Sequence, residues 1–109
     1  TNIAKVVCDR DGNALYFSRS PIPHVRDQHE LAHFFSTGTF KKHVGLYAYT
    51  TQTLQKIATL KPSVLEDAEK LEQLRFLENN IKITVHHTNY EVMGIDTPQD
   101  LARATERCK

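Results

Sequence analysis

Apolar positions recur most regularly between Pro62 and Glu78. At about 100° per residue, Val64, Ala68, Leu71 and Leu74 share one side of a helix, which predicts a core stripe. Ser63 followed by Glu66 is a capping box: the hydroxyl accepts a first-turn N–H and the carboxylate reaches back to the cap. Pro62, just outside, keeps the helix from starting earlier. A second sector holds Leu65, Glu69, Glu72 and Phe76. It mixes carboxylates with apolar side chains. It reads either as a solvated face with two stray apolar residues, or as a half-covered face whose carboxylates need a cation or a ligand hydroxyl.

The rest of the chain divides around this helix. Residues 4–9 are mostly apolar and predict a short strand, and residues 14–19 predict an aromatic-rich second one. The Asp11-Gly12 dipeptide between them makes a hairpin, because glycine takes positive φ without strain. Pro21 and Pro23 stop the second strand. Residues 26–42 are polar and rich in histidine, with a break at Gly38, and predict a long loop with room for one helical turn. Residues 43–49 predict a third strand, with Val44, Leu46 and Ala48 on one face and Gly45, Tyr47 and Tyr49 on the other. Thr50 or Thr51 caps a short helix through Leu60, with Leu54, Ile57 and Ala58 facing inward. Residues 81–85 alternate Ile81, Ile83 and Val85 against Lys82 and Thr84, the pattern of a half-buried strand. Thr97-Pro98-Gln99-Asp100 is a capped helix start, and Leu101, Ala104 and Cys108 line the inner face beyond it. Strands and helices in this order predict an α/β or α+β layered structure.

Composition narrows the function classes. With 109 residues, 39% hydrophobic and 25% charged, the chain has the make-up of one soluble domain or partial domain. The net charge of +1, without a basic block, argues against a nucleic-acid surface. No apolar run reaches membrane-spanning length and no signal peptide is visible, so no membrane partner is expected. Cys8 and Cys108 form no metal or redox motif, which fits a reduced, cytoplasmic chain. The first residue is Thr1 rather than Met, which predicts a processed chain or a piece of a longer one.

Three places offer chemistry. His29-Glu30-Leu31-Ala32-His33 has the spacing of a zincin, with two imidazoles on one helix face and a glutamate as general base. The context is poor: the flanks are short and polar, and Thr39 stands where a metzincin needs its third histidine. Asp96 precedes a capped helix, whose N-terminus stabilises an anion. With a second carboxylate it could hold Mg²⁺, though an ordinary aspartate beside a cap looks the same. The third place is scattered: Arg19 and Arg26 around the prolines, His43 and Tyr47 on the third strand, and Glu72 and Gln73 on the long helix. Arginines suit carboxylates. The other four suit hydroxyls. Together they would fit a polyhydroxylated acid if the fold brings them together.

Several phrases then occur in a specific order: Lys5-Val6-Val7; residues 14–23, Ala-Leu-Tyr-Phe-Ser-Arg-Ser-Pro-Ile-Pro; residues 43–49, His-Val-Gly-Leu-Tyr-Ala-Tyr; Pro62-Ser63 with Leu71-Glu72-Gln73-Leu74-Arg75; and Gly94-Ile95-Asp96-Thr97-Pro98 with Asp100-Leu101. From Lys5 to about Ala104 the chain resembles the C-terminal half of the CMP-Kdo synthetases, the 3-deoxy-manno-octulosonate cytidylyltransferases. That family transfers CMP from CTP to the sugar acid Kdo and releases pyrophosphate, on the way to bacterial lipopolysaccharide. The resemblance implies a Rossmann-like α/β nucleotide-sugar transferase fold with a mixed sheet and helices, Mg²⁺ dependence and a homodimer. It implies that Asp96 is the second Mg²⁺-binding aspartate. Arg19 and Arg26 would lie near the sugar acid, and His43, Tyr47, Glu72 and Gln73 in its pocket.

The family's N-terminal half carries a basic pyrophosphate loop, cytosine contacts and a Gln-Gly-Asp-type segment with the first metal aspartate. None of these occurs in the 109 residues. The expectation is therefore a sugar-acid-binding and dimerisation portion that does not turn over CTP and Kdo alone. The alternatives are a non-catalytic dimerisation module of the same fold, and a zinc hydrolase built on His29, Glu30 and His33.

Overall fold

The hairpin forms where its turn residues require it. The computed structural model describes residues 3–88 and 97–107. Strand β1 (Lys5–Cys8) pairs antiparallel with β2 (Ala14–Ser18), with Val6 opposite Phe17 and a register shift between Val7 and Cys8. In the turn, Asp9 Oδ1 accepts the N–H groups of Asp11 and Asn13, each at 2.9 Å, and Gly12 takes a φ of 83°. The segment expected as a long loop with room for one helical turn holds a 3₁₀ turn (Gln28–Glu30) and α1 (Leu31–Ser36), which ends at Gly38 with a φ of 75°.

The third strand is a correction. Only Lys41–Lys42 (β3) pairs with β1, giving the order β2-β1-β3, and every strand pairing among the described residues is antiparallel. The His43 N–H extends the ladder by one bond of 2.8 Å to the Ala4 carbonyl. Among the described residues strand β1 starts at Lys5, so no described strand runs on beside the chain past His43. It turns there, Leu46 N–H to Val44 carbonyl at 2.8 Å, and leaves Leu46 86% exposed. The strand expected at residues 81–85 shrinks to a single bridge between Thr84 and Asn13, because it meets the hairpin at its turn. Its inward face is as expected: Ile83 and Val85 pack on the core.

Helix α2 (Thr51–Ile57) starts at the Thr50 cap, whose Oγ1 accepts the Thr53 N–H at 3.1 Å. The long helix expected next is two helices, α3 (Val64–Glu69) and α4 (Leu74–Glu78). The capping box at Ser63 and Glu66 is present, but Lys70 turns left-handed, φ 56° and ψ 43°, and ends α3. The expected stripe is split accordingly: Val64 is exposed, while Leu71 and Leu74 are buried. Helix α5 (Pro98–Arg107) opens on the expected Thr97–Asp100 box, with both bonds at 3.1 Å, but Leu101 faces solvent rather than a core. Asp96 and Cys108 lie outside the described residues. Among the described residues no helix is long and apolar enough to cross a membrane.

Ala4, Val6, Phe17, Leu71 and Leu74 form the buried cluster, so the hairpin face packs on the α3–α4 junction. Beside it, Arg75 forks onto Glu66, Nε to Oε2 at 2.8 Å and Nη2 to Oε1 at 2.6 Å, and also reaches the Leu60 carbonyl. The Arg75 hydrogen bonds hold the Glu66 carboxyl below its ordinary 4.5, against some desolvation. Because the folded value lies below the unfolded one, this stabilisation is complete above 4.5 and is lost as pH falls through the lowered value. The thermal midpoint is expected to drop on acidification below 4.5, and Glu66→Gln to flatten part of that drop. An equally steep drop in Glu66→Gln, followed by circular dichroism, would assign acid sensitivity elsewhere.

Candidate functional site

Four of the residues named from sequence gather around one aromatic wall or beside it. Phe17, from β2, is fully buried and meets the His43 ring edge-on at 5.2 Å. The Tyr47 hydroxyl lies 2.6 Å from His43 Nε2, so one of the two groups donates to the other according to the imidazole tautomer. Tyr47 stacks on Tyr49 at 6.0 Å, and Tyr49 meets Phe76 of α4 edge-on at 6.2 Å. The wall thus runs from the hairpin to α4. The side-sharing of Tyr47 and Tyr49 read from their spacing persists although the segment is not a paired strand.

The wall is neutral at physiological pH, with one negative charge beside it. Burial lowers the His43 imidazole below its ordinary 6.5. Burial, then Tyr49 and Glu72, push the Tyr47 phenol up to about 12. Tyr49 is raised by burial and then by Glu72. The Glu72 carboxylate is itself exposed, at the end of the wall where its charge reaches both phenols. Next to it Gln73 is 7% exposed, and its buried Nε2 has no hydrogen-bond partner among the described residues. Buried amide donors are rarely left this way.

The His43 shift carries a pH prediction. The unfolded chain takes up the proton at 6.5 and the folded chain only at lower pH, so stability falls as pH drops from 6.5 toward the folded value. An NMR titration of the ring is expected to give a midpoint below 6.5; a midpoint at or above it would mean that the imidazole is solvated.

The remaining candidates stand apart. Arg19 Nε donates to the Glu69 carbonyl at 2.8 Å and Nη2 to the Lys70 carbonyl at 3.0 Å, so its guanidinium closes the C-terminus of α3. The Arg19 N–H in turn donates to Glu69 Oε1 at 3.1 Å. The Ser18 hydroxyl first, then the Arg19 N–H and the Tyr16 hydroxyl, hold the Glu69 carboxyl below its ordinary value against desolvation. Arg26 lines a separate cavity of about 340 Å³ with Pro23, Asp27, Glu30, Phe34 and Thr39. Glu72 also borders a shallow cavity of about 280 Å³ with Pro62, Asp67 and Lys70. Asp96 is outside the described residues. The zincin spacing gains nothing: His29 and Glu30 sit in the 3₁₀ turn and His33 in α1. His29 Nε2 lies 3.9 Å from Asp27, and no group of three His, Cys, Asp or Glu side chains among the described residues could hold a metal.

Phe17 and Tyr49 were not singled out for the site from sequence, and Glu69 was read only as a carboxylate on a mixed face in need of a partner. Tyr49 could have been found from its alternation with Tyr47. The partners of Phe17 and Glu69 lie 26 and 50 positions away in sequence, where no local pattern points. A neutral donor–acceptor pair, a carboxylate and a buried amide are hydrogen-bonding groups of the kind that suit hydroxyls.

Residues 1–83 match the family model described as cytidylyltransferase. The chain is 52% identical over 110 residues to the 3-deoxy-manno-octulosonate cytidylyltransferase of Pelobacter propionicus, a match covering 97% of this chain and 43% of the relative. The enzyme of the same name from Parabacteroides distasonis is 50% identical over 103 residues, covering 94% and 41%. Among solved structures, CMP:2-keto-3-deoxy-manno-octonic acid synthetase complexed with CTP superposes with a TM-score of 0.76 at 38% identity, covering 97% of this chain and 41% of that one. The chain spans roughly two fifths of the length of the relatives it matches.

Proposed function

The chain belongs to the cytidylyltransferase family, and from that premise we propose that it carries the sugar-acid side of an enzyme transferring CMP from CTP to 3-deoxy-manno-octulosonate (Kdo). The observation that carries this reading is the neutral Tyr47–His43 pair bordered by the Glu72 carboxylate, with the buried Gln73 amide, whose Nε2 has no partner among the described residues, adjoining Glu72 in sequence. A folded chain tolerates such a donor where a ligand completes it. The low His43 and high Tyr47 values keep that pair uncharged, which suits sugar hydroxyls. Glu72 accepts from a hydroxyl.

In the reaction, the anomeric hydroxyl of Kdo bonds to the α-phosphorus of CTP as the α–β bridging bond breaks. Pyrophosphate leaves and the hydroxyl proton is released. The residues of this chain bind and orient the attacking hydroxyl, and orientation is a large part of such catalysis. Asp96 is the one residue we assign to Mg²⁺. A single carboxylate plus phosphate oxygens is a donor set this ion accepts, and when bound it neutralises charge on the phosphates. We further propose a cytoplasmic homodimer serving lipopolysaccharide synthesis.

The test is a chimera in which this chain replaces the matching segment of the Pelobacter propionicus relative. Pyrophosphate release that needs both CTP and Kdo is expected. A folded chimera without it, beside an active parent, would sink the reading.

A further inference from the structure

The sugar-acid site depends on a break in a helix, and the break needs holding. Lys70 carries a side chain in the left-handed region, which glycine ordinarily occupies at a helix end. The break changes what the following residues can reach. In a continuous helix Leu71 and Gln73 would point about 160° apart, yet both are 7% exposed here, with Leu74 at 0%. Two groups are placed to hold it. The forked Arg19 guanidinium takes the carbonyls of Glu69 and Lys70, and the Glu69 carboxylate takes the Arg19 N–H. Each residue thus fixes the backbone of the other, joining the end of β2 to the end of α3.

We propose that Glu69 and Arg19 are positioning residues: their reciprocal lock holds the left-handed turn at Lys70 and thereby places Glu72 and Gln73 for the sugar acid. The lock rests on the functional reading above only for its ligand. Arg19 acts through the backbone, not by touching the carboxylate of Kdo. Lysine replaces it poorly, because an ammonium on a flexible stem lacks the rigid planar fork that takes both carbonyls at once. Glutamine can largely replace Glu69, since it keeps an acceptor for the Arg19 N–H.

The experiment uses ¹⁵N,¹³C-labelled 109-residue chain. A strong intraresidue HN–Hα NOE at residue 70 reports positive φ, and a Kdo titration reports affinity. In Arg19→Ala, Arg19→Lys and Glu69→Ala the NOE is expected to weaken and Kdo affinity to fall about tenfold. Glu69→Gln is expected to retain both. Adding Lys70→Gly to Arg19→Ala restores a residue that takes the turn unaided, and should recover affinity to within about threefold of the unmodified chain. A persisting NOE in Arg19→Ala and Glu69→Ala would overturn the lock. Loss of affinity that Lys70→Gly does not recover would overturn it too, and make Arg19 a direct ligand. If the unmodified chain binds no Kdo, the sugar-acid reading fails instead, and the NOE alone decides whether the lock holds the turn.

Discussion

Replacing Phe17 with alanine is expected to cost about 3–5 kcal/mol, the range for emptying a buried phenylalanine site. Phe17 is 1% exposed, lies opposite Val6 in the hairpin and packs in the cluster with Leu71 and Leu74. That cluster is small, and Leu46, Val64, Leu15 and Leu101 remain on the surface, so little else can take up the loss. Against a typical domain stability of about 5–15 kcal/mol, the substitution leaves the chain close to unfolding. Urea denaturation should show a lower midpoint at unchanged slope. Phe17→Leu keeps most of the apolar volume and should cost about 1 kcal/mol. It also removes the ring edge that faces His43, so it tests separately whether the core positions the wall. If Phe17→Ala loses less than about 1 kcal/mol, the hairpin is not packed on the α3–α4 junction as described.

What was legible in the sequence is what short-range chemistry decides. The Gly12 turn, the Thr50 cap, the Ser63–Glu66 box and the Thr97–Asp100 box each need residues within four positions, and each is present. The errors lie where a partner is remote. Residues 43–49 alternate like a strand, but among the described residues β1 starts at Lys5 and no described strand pairs beyond His43. Residues 62–78 have helical periodicity throughout, but Arg19 closes α3 from 50 residues away, and burial of Leu71, Gln73, Leu74 and Phe76 wins over continuity. The site divides the same way. His43 and Tyr47 were readable as candidates for the site, but their bond was not, because the expected strand would hold residues four apart about 13 Å from each other. Arg19 was readable only as a cation near the sugar acid, because capping a distant helix leaves no trace in local spacing.

The same division explains why the buried amide should be a liability for stability and an asset for binding. Gln73→Leu is expected to stabilise the ligand-free chain by about 1–3 kcal/mol, since it removes the desolvation cost of a donor with no partner among the described residues. At about 4–8 °C per kcal/mol, the rise in thermal midpoint is easily measured. The leucine has nearly the same volume, so the cluster around Leu71 and Leu74 is not asked to repack. Kdo binding should respond in the opposite sense and weaken by about tenfold or more, the loss of one hydrogen bond to a ligand hydroxyl. Binding sites held at the expense of stability commonly show this opposition. Each arm has its own failing outcome. A destabilised Gln73→Leu would mean that the amide is satisfied by a partner. A stabilised variant that binds Kdo as well as the unmodified chain would mean that the donor is buried for some reason other than this ligand.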